Sequence, residues 1–147
     1  MKLKILFLFF ALFSTGYLCA QKVKPVNYGG SVNLVKEIDA NNVVIRALGY
    51  GKKEANARED AEIRVMRAVL YVGFPGHNKM ISEPESSVEA KHADFLSNFF
   101  EGKRYKDFIT SVVSVGSLAK VKGQKVKSMP FDITVNLKAL RQNLIEN

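Results

Sequence analysis

The pattern of this chain predicts an α+β domain: an antiparallel sheet of two hairpins with helices packed on one face, in the order β-β-α-α-β-β-α. Three observations carry that expectation. Two pairs of period-two stretches, at 32–51 and 107–137, are each joined by turn-forming residues. Apolar residues at three- and four-residue steps mark helices between them and after the last strand. Strands and helices do not alternate one for one, as a parallel α/β fold would require.

The first twenty residues stand apart from this domain. MKLK is a basic start, ILFLFFALF (5–13) an apolar run, and STGYLCA a small and polar tail. This is the layout of a secretory signal peptide, and the apolar run is too short to span a bilayer. Cleavage after Ala20 leaves Gln21 at the new N-terminus, with a cut after Gly16 as the alternative. Lipid anchoring through Cys19 would need a small residue before it, and bulky Leu18 argues against that. Loss of Cys19 leaves no cysteine, so disulfides, thiolate nucleophiles and cysteine metal sites are excluded. The remaining length supports one core. The expected organisation is a signal peptide at 1–20, a flexible arm at 21–31 and a single domain at 32–147, exported to the periplasm or beyond.

Within the domain, VNLVKEI (32–38) alternates weakly, DANN (39–42) is turn chemistry, and VVIRALGYG (43–51) is a stronger strand. Val43, Ile45, Ala47 and Gly49 share one face of it and shrink toward its end. The helix expected over 54–72 opens its inner stripe with Ala57 and Ala61, while Arg58, Glu59, Glu62, Arg64 and Arg67 fill the outer face. Small residues at the end of the strand therefore meet small residues at the start of the helix, so main chain can approach main chain. GFPG (73–76) stops the helix. A second helix is expected over 88–101 before Gly102. The last third reads as a long hairpin, 107–121 and 125–137, bending at Gly123. Pro130 cannot donate to a ladder and predicts an edge position or a bulge. A short amphipathic helix closes the chain with Leu137, Leu140, Leu144 and Ile145.

Charge is unevenly spread. Without Lys2 and Lys4 the chain carries 20 basic and 14 acidic residues, and 102–147 alone carries 9 basic and 3 acidic. Such asymmetry suggests an anionic neighbour. Lys120, Lys122, Lys125 and Lys127 crowd the expected hairpin tip and are the first candidate anion-binding group. Phosphorylated glycolipid and anionic headgroups are the polyanions within reach of an exported protein. Nucleic acid is not expected, since no aromatic at the tip offers a base a stacking platform. The competing reading is a solvated tip whose lysines discourage edge aggregation.

Gly51, Lys52 and Lys53 form a second candidate, because a helix N-terminus beside lysines attracts anions. A phosphate-binding Walker loop would need glycine at Arg46 and a hydroxyl residue at Lys53, and a dinucleotide fingerprint a third glycine near Asn56. Neither is present, and a packing turn is the preferred reading. Phe95, Phe99, Phe100, Tyr105 and Phe108 could line a pocket for an apolar or sugar ligand, or simply fill the core. His77 and His92 match no metal spacing, and no nucleophile elbow or zincin motif is present. No catalytic residue, metal or cofactor is expected.

The run VVIRALGYGKKEANAREDAEIRVMRAVL resembles an exported bacterial module in which a strand ends in Ala-x-Gly-x-Gly, an alanine-spaced helix comes next, and a lysine-rich hairpin comes later. In this it is similar to the N-terminal module of flagellar assembly protein T, to LPP-type envelope lipoproteins, and to secreted proteins of Bacteroidota whose signal peptides end in Ala-Gln. Lys53 stands where such modules often carry serine, and the lipobox is missing. The resemblance implies a small envelope domain that acts by contact with other components and transfers no site. The expected function is an exported, non-enzymatic envelope protein serving as a protein-interaction or assembly module with an envelope protein as partner. The alternatives are a binder of anionic glycolipid or polymer through the basic tip, and a small ligand-binding or hydrolytic domain using the aromatic cluster.

Overall fold

The computed structural model describes residues 32–146. The signal peptide, Cys19 and the arm lie outside the described residues. From Val32 onward the chain has the α+β fold expected: five antiparallel strands with helices against one face.

Strands β1 (Val32–Glu37) and β2 (Asn42–Gly51) form the first hairpin. Its turn is held by Asp39, whose carboxylate accepts the amides of Asn41 at 2.7 Å and Asn42 at 2.9 Å. The long strand β5 (Lys127–Asn136) pairs with β2 along its whole length, from Asn42 opposite Asn136 to Gly51 opposite Lys127. On its other side lie β3 (Ile109–Ser114) and then β4 (Ala119–Lys120).

The hairpin expected as continuous is thus broken on one arm, and Pro130 explains the break. β5 is central and not an edge. Residues on a strand point N–H and C=O to the same side. The carbonyl of Pro130 accepts the amide of Val115 at 3.0 Å, so its missing donor also faces the β3–β4 side. The ladder has no donor to offer there, and the neighbouring strand is interrupted between Ser114 and Ala119. Gly116 fills the gap, with space for a Cβ only 2.9 Å from the Pro130 ring.

Helix α1 (Glu54–Tyr71) lies on the inner sheet face, burying Ala57, Ala61, Val65 and Val69 against Val43, Ile45, Ala47 and, from β5, Met129, Phe131, Ile133 and Val135. The closest approach is at Gly49. A Cβ there would overlap the carbonyl oxygen of Ala57 and come within 2.9 Å of Ala61 Cβ. At Gly51 it would lie 2.5 Å from the Ala57 amide nitrogen. Asp60 reinforces the joint by accepting the Tyr50 amide at 2.9 Å. Helix α4 (Leu137–Glu146) continues directly from β5 and closes the end of the core with Leu137 and Leu140. Asn136 caps its first turn by accepting the Ala139 amide at 3.0 Å.

The single helix expected over 88–101 is instead α2 (Glu85–Lys91), a break at His92, α3 (Ala93–Leu96) and a wide π turn (Ser97–Glu101). His92 leaves helical geometry with φ −128° and ψ 41°. After Gly102, Lys103 turns left-handed (φ 58°) into a 3₁₀ turn, Arg104–Phe108. Lys103 is held there by an ion pair to Glu59 on α1 at 2.7 Å.

This 3₁₀ turn covers a flank of α1 that the periodicity assigns to solvent. Glu62 is only 3 % exposed. Its carboxylate accepts from Arg58 Nε at 2.9 Å and, more distantly, from the Tyr105 hydroxyl and Lys106, each at 3.5 Å. Burial and then the negative charge of Glu62 raise the pKa of the Tyr105 phenol.

Two outcomes are expected. Gly49→Ala forces the helix off the sheet and lowers unfolding free energy by about 3 kcal/mol in urea titration, a large overpacking effect. Because the folded state holds the Tyr105 proton more tightly than the unfolded chain, the contribution of this group to stability should be fully present below about pH 10 and be lost above it. Tyr105→Phe should flatten that alkaline decline, with Tyr71, whose phenol burial also raises, supplying the remainder.

Candidate anion-binding surface

The packing that brings β2 against α1 also decides which side chains meet at the end of the sheet. β2 stops at Gly51, opposite Lys127, and Lys127 stands opposite Lys120 of β4. Across three adjacent strands the end row therefore reads Gly51, Lys127, Lys120. Lys52 and Lys53 come immediately after Gly51, both exposed, and Lys53 is the N-cap of α1 with no side-chain cap hydrogen bond. Lys122 and Lys125 are exposed in the turn between β4 and β5. That turn is closed by the Gln124 amide donating to the Val121 carbonyl at 3.1 Å, with Gly123 left-handed at φ 76°.

The two lysine groups that the sequence separates by some seventy residues thus share one end of the molecule. None of Lys52, Lys53, Lys120, Lys122, Lys125 and Lys127 forms an ion pair with a described residue. Glu54 is the acid in the first turn of α1, and Asp60, further along, is taken up by the Tyr50 amide and by Arg64 Nε at 2.7 Å. Lys120 facing Lys127 is a like-charge cross-strand pair, which weakens a sheet.

Gly51 does not belong to the charged surface. It is buried, with the first turn of α1 folded onto it. The double-glycine bend serves contact between strand and helix, and only Lys52 and Lys53 of that turn face outward.

The aromatic group forms a different arrangement. Phe99 is the hub: its ring stacks on Phe95 at 5.7 Å and Phe108 at 5.9 Å, meets Phe100 edge-on at 5.0 Å, and lies 6.5 Å from Tyr105. Phe99, Tyr105 and Phe108 belong to the main core, with Phe95 and Phe100 packed against it. These rings fill one another's space beneath the sheet. Arg67 lies over Phe100 at 4.8 Å and pairs with Glu85, so α2 is tied to the same cluster.

An open depression of about 520 Å³ lies elsewhere, lined by Phe74, Pro75, His77, Asn78, Lys79 and Ser82 among others. His77 Nε2 there lies 3.0 Å from Glu37 on β1, joining the loop to the sheet. His92 sits at the α2–α3 break. Among the described residues no three His, Cys, Asp or Glu side chains come together as a metal site, and no helix is long and apolar enough to cross a membrane.

Sequence reasoning missed Glu62 as a buried carboxylate and missed the union of the two lysine groups. The first had no local signal. The second was present as strand register: pairing the glycine-terminated strand with the proline-containing one would have set Lys127 beside Gly51.

Compared with protein-family models, curated proteins and solved structures, the chain has no match in any of the three.

The Lys120–Lys127 pair supplies a stability test. Lys120→Glu turns repulsion into attraction and should raise unfolding free energy by about 0.5 kcal/mol, read by chemical denaturation, while weakening any anion binding at this end.

Proposed function

We propose that this is an exported, non-enzymatic envelope protein that docks through its basic end onto a phosphate-bearing anionic surface, such as glycolipid phosphates or anionic lipid headgroups. The observation that carries the reading is the convergence of six lysines, without ion-pair partners among the described residues, on one end around the start of α1 and the β4–β5 turn. A compact cluster of unneutralised charge raises the local potential and favours a multivalent anion over a single ion. Each lysine near a charged membrane contributes about 1 kcal/mol. The leader read from residues 1–20 supports placing such a surface in the envelope.

The assembly role implied by the resemblance is a second reading. It is favoured by the outer sheet face, where Val113 and Val115 stay exposed. The aromatic ligand pocket has no comparable support, since its rings pack into the core.

Co-sedimentation with vesicles containing phosphatidylglycerol, and with lipopolysaccharide, tests the docking proposal. Binding should fall steeply with added salt. Lys122→Glu with Lys125→Glu should weaken it by about 30-fold or more, and Lys52→Glu with Lys53→Glu by a similar factor. Binding that is absent, or indifferent to salt and to both double variants, would refute the proposal.

A further inference from the structure

The sheet has two edges, and they are built differently. β1 is guarded. Its register slips between Leu34 and Lys36, it exposes Lys36 and Glu37, and the loop carrying His77 leans on its end through the contact with Glu37. Bulges, charges and covering loops are the devices that stop a strand from joining a neighbour.

β3 also slips register, between Ile109 and Ser111, but it has none of the charges. From Ile109 to Ala119 there is no Asp, Glu, Lys, Arg or His, and four of the first five residues are β-branched. Its pairing with β5 sets Val112 opposite Ile133, Val113 opposite Asp132 and Ser114 opposite Phe131. The Val115 amide points inward, to the Pro130 carbonyl. Main-chain groups alternate in direction along an antiparallel strand. Those of Val113 and Val115 therefore serve β5, and those of Val112 and Ser114 point away from the sheet.

Side chains obey the same alternation. Val112 packs on the core, while Val113 and Val115 stand on the outer face, 54 % and 40 % exposed. Val115 meets Pro130, and Pro130 is opposite Leu48, so an apolar row runs inward from the open edge. A second strand added to β3 would satisfy the outward main-chain groups and cover the exposed Val113.

We propose that β3 pairs antiparallel with β3 of a second copy of this chain, joining two sheets into one about a two-fold axis near Val113. In this register Val113 faces its own mate, and Val112 and Ser114 exchange main-chain hydrogen bonds with Ser114 and Val112 of the other copy. Self-pairing is favoured because an uncharged strand meets itself without like-charge repulsion. The guarded β1 edge explains why pairing closes at two copies and does not continue as a filament. β3 is six residues long, and an axis at Val113 overlaps the two strands only over residues 112–114, which places the dimer in the weak and concentration-dependent class.

Sedimentation velocity over a concentration series, with amide exchange measured by NMR on the same samples, tests this. A monomer–dimer equilibrium is expected, with the Val112 and Ser114 amides gaining protection as dimer forms. Val113→Lys, which sets two lysines face to face, should raise the dissociation constant at least about tenfold. Ser114→Pro, which removes an outward donor, should abolish the dimer. Val35→Lys on β1, where the side chain is 43 % exposed, should change nothing. A monomer at every concentration overturns the proposal. So does a dimer that leaves those two amides unprotected, or one that survives Val113→Lys. Protection independent of concentration in a monomer would assign the edge to a segment of the same chain, capture of a foreign strand by the monomer would assign it to another protein, and open-ended growth would show the β1 edge unguarded. Each of those outcomes is equally fatal to it.

Discussion

The contact between Gly49 and Ala57 is the constraint on which the rest of this structure depends. A β-strand and a helix normally pack with a layer of side chains between them, and here that layer shrinks to hydrogen at one end. Ala47, Gly49 and Gly51 on the strand and Ala57 and Ala61 on the helix are small enough for the two backbones to touch. The joint then opens along the helix, where Val65 and Val69 fill a space that widens away from the bend. α1 is therefore wedged against the sheet at a set tilt. Both glycines are consumed by this contact, which leaves the lysines after them as the first residues free to face solvent.

That wedge has an electrostatic consequence. Because β2 ends where α1 begins, and β5 begins opposite the end of β2, three chain segments rich in lysine are delivered to one place. Clustering like charge opposes folding modestly, and the Lys120–Lys127 pair is a local instance. Glu54, next to Lys53 in the first turn of α1, sets one carboxylate beside six lysines. Acids are plentiful along α1, but Glu59, Asp60 and Glu62 are engaged by Lys103, Arg64 and Arg58. The basic end keeps a net positive charge while the acids further along α1 are drawn into structural pairs, and this division supports reading the lysines as functional.

What the sequence disclosed depended on the range of the interaction. The strand-to-helix joint was legible because the size of a side chain and its period are local properties: Gly49, Ala57 and Ala61 announce a close approach without reference to anything else. The α+β class and the two hairpins emerged from the same kind of pattern. Position in the sheet did not. Pro130 pointed to an edge or a bulge, and the sequence could not show that it would lie on a central strand, its missing donor opposite a break in the neighbouring one. Glu62 looked solvent-facing, since its cover, Tyr105, lies 43 residues away on a turn with no helical or strand periodicity. The middle helix also divides at His92, and its π turn sets the Phe99 and Phe100 rings against Tyr105, a contact that no local preference encodes. The lysines could be named as two separate groups, yet their union required the register between β2 and β5.

The proline that obscured the topology also organises the open edge. Had residue 130 carried an amide hydrogen, the strand beside β5 could run unbroken from Ile109 to Lys120, and Lys120 would belong to the same rigid edge as Val113. Instead the chain leaves the ladder after Ser114, passes Gly116 over the proline ring, and rejoins it at Ala119. An uncharged segment and a charged one are thereby separated along one side of β5. The uncharged part retains main-chain groups suited to another strand, while the charged part is carried beyond it to the end of the sheet. Repulsion among lysines then acts where an anion can relieve it, and is kept away from the edge where two copies of the chain would have to meet.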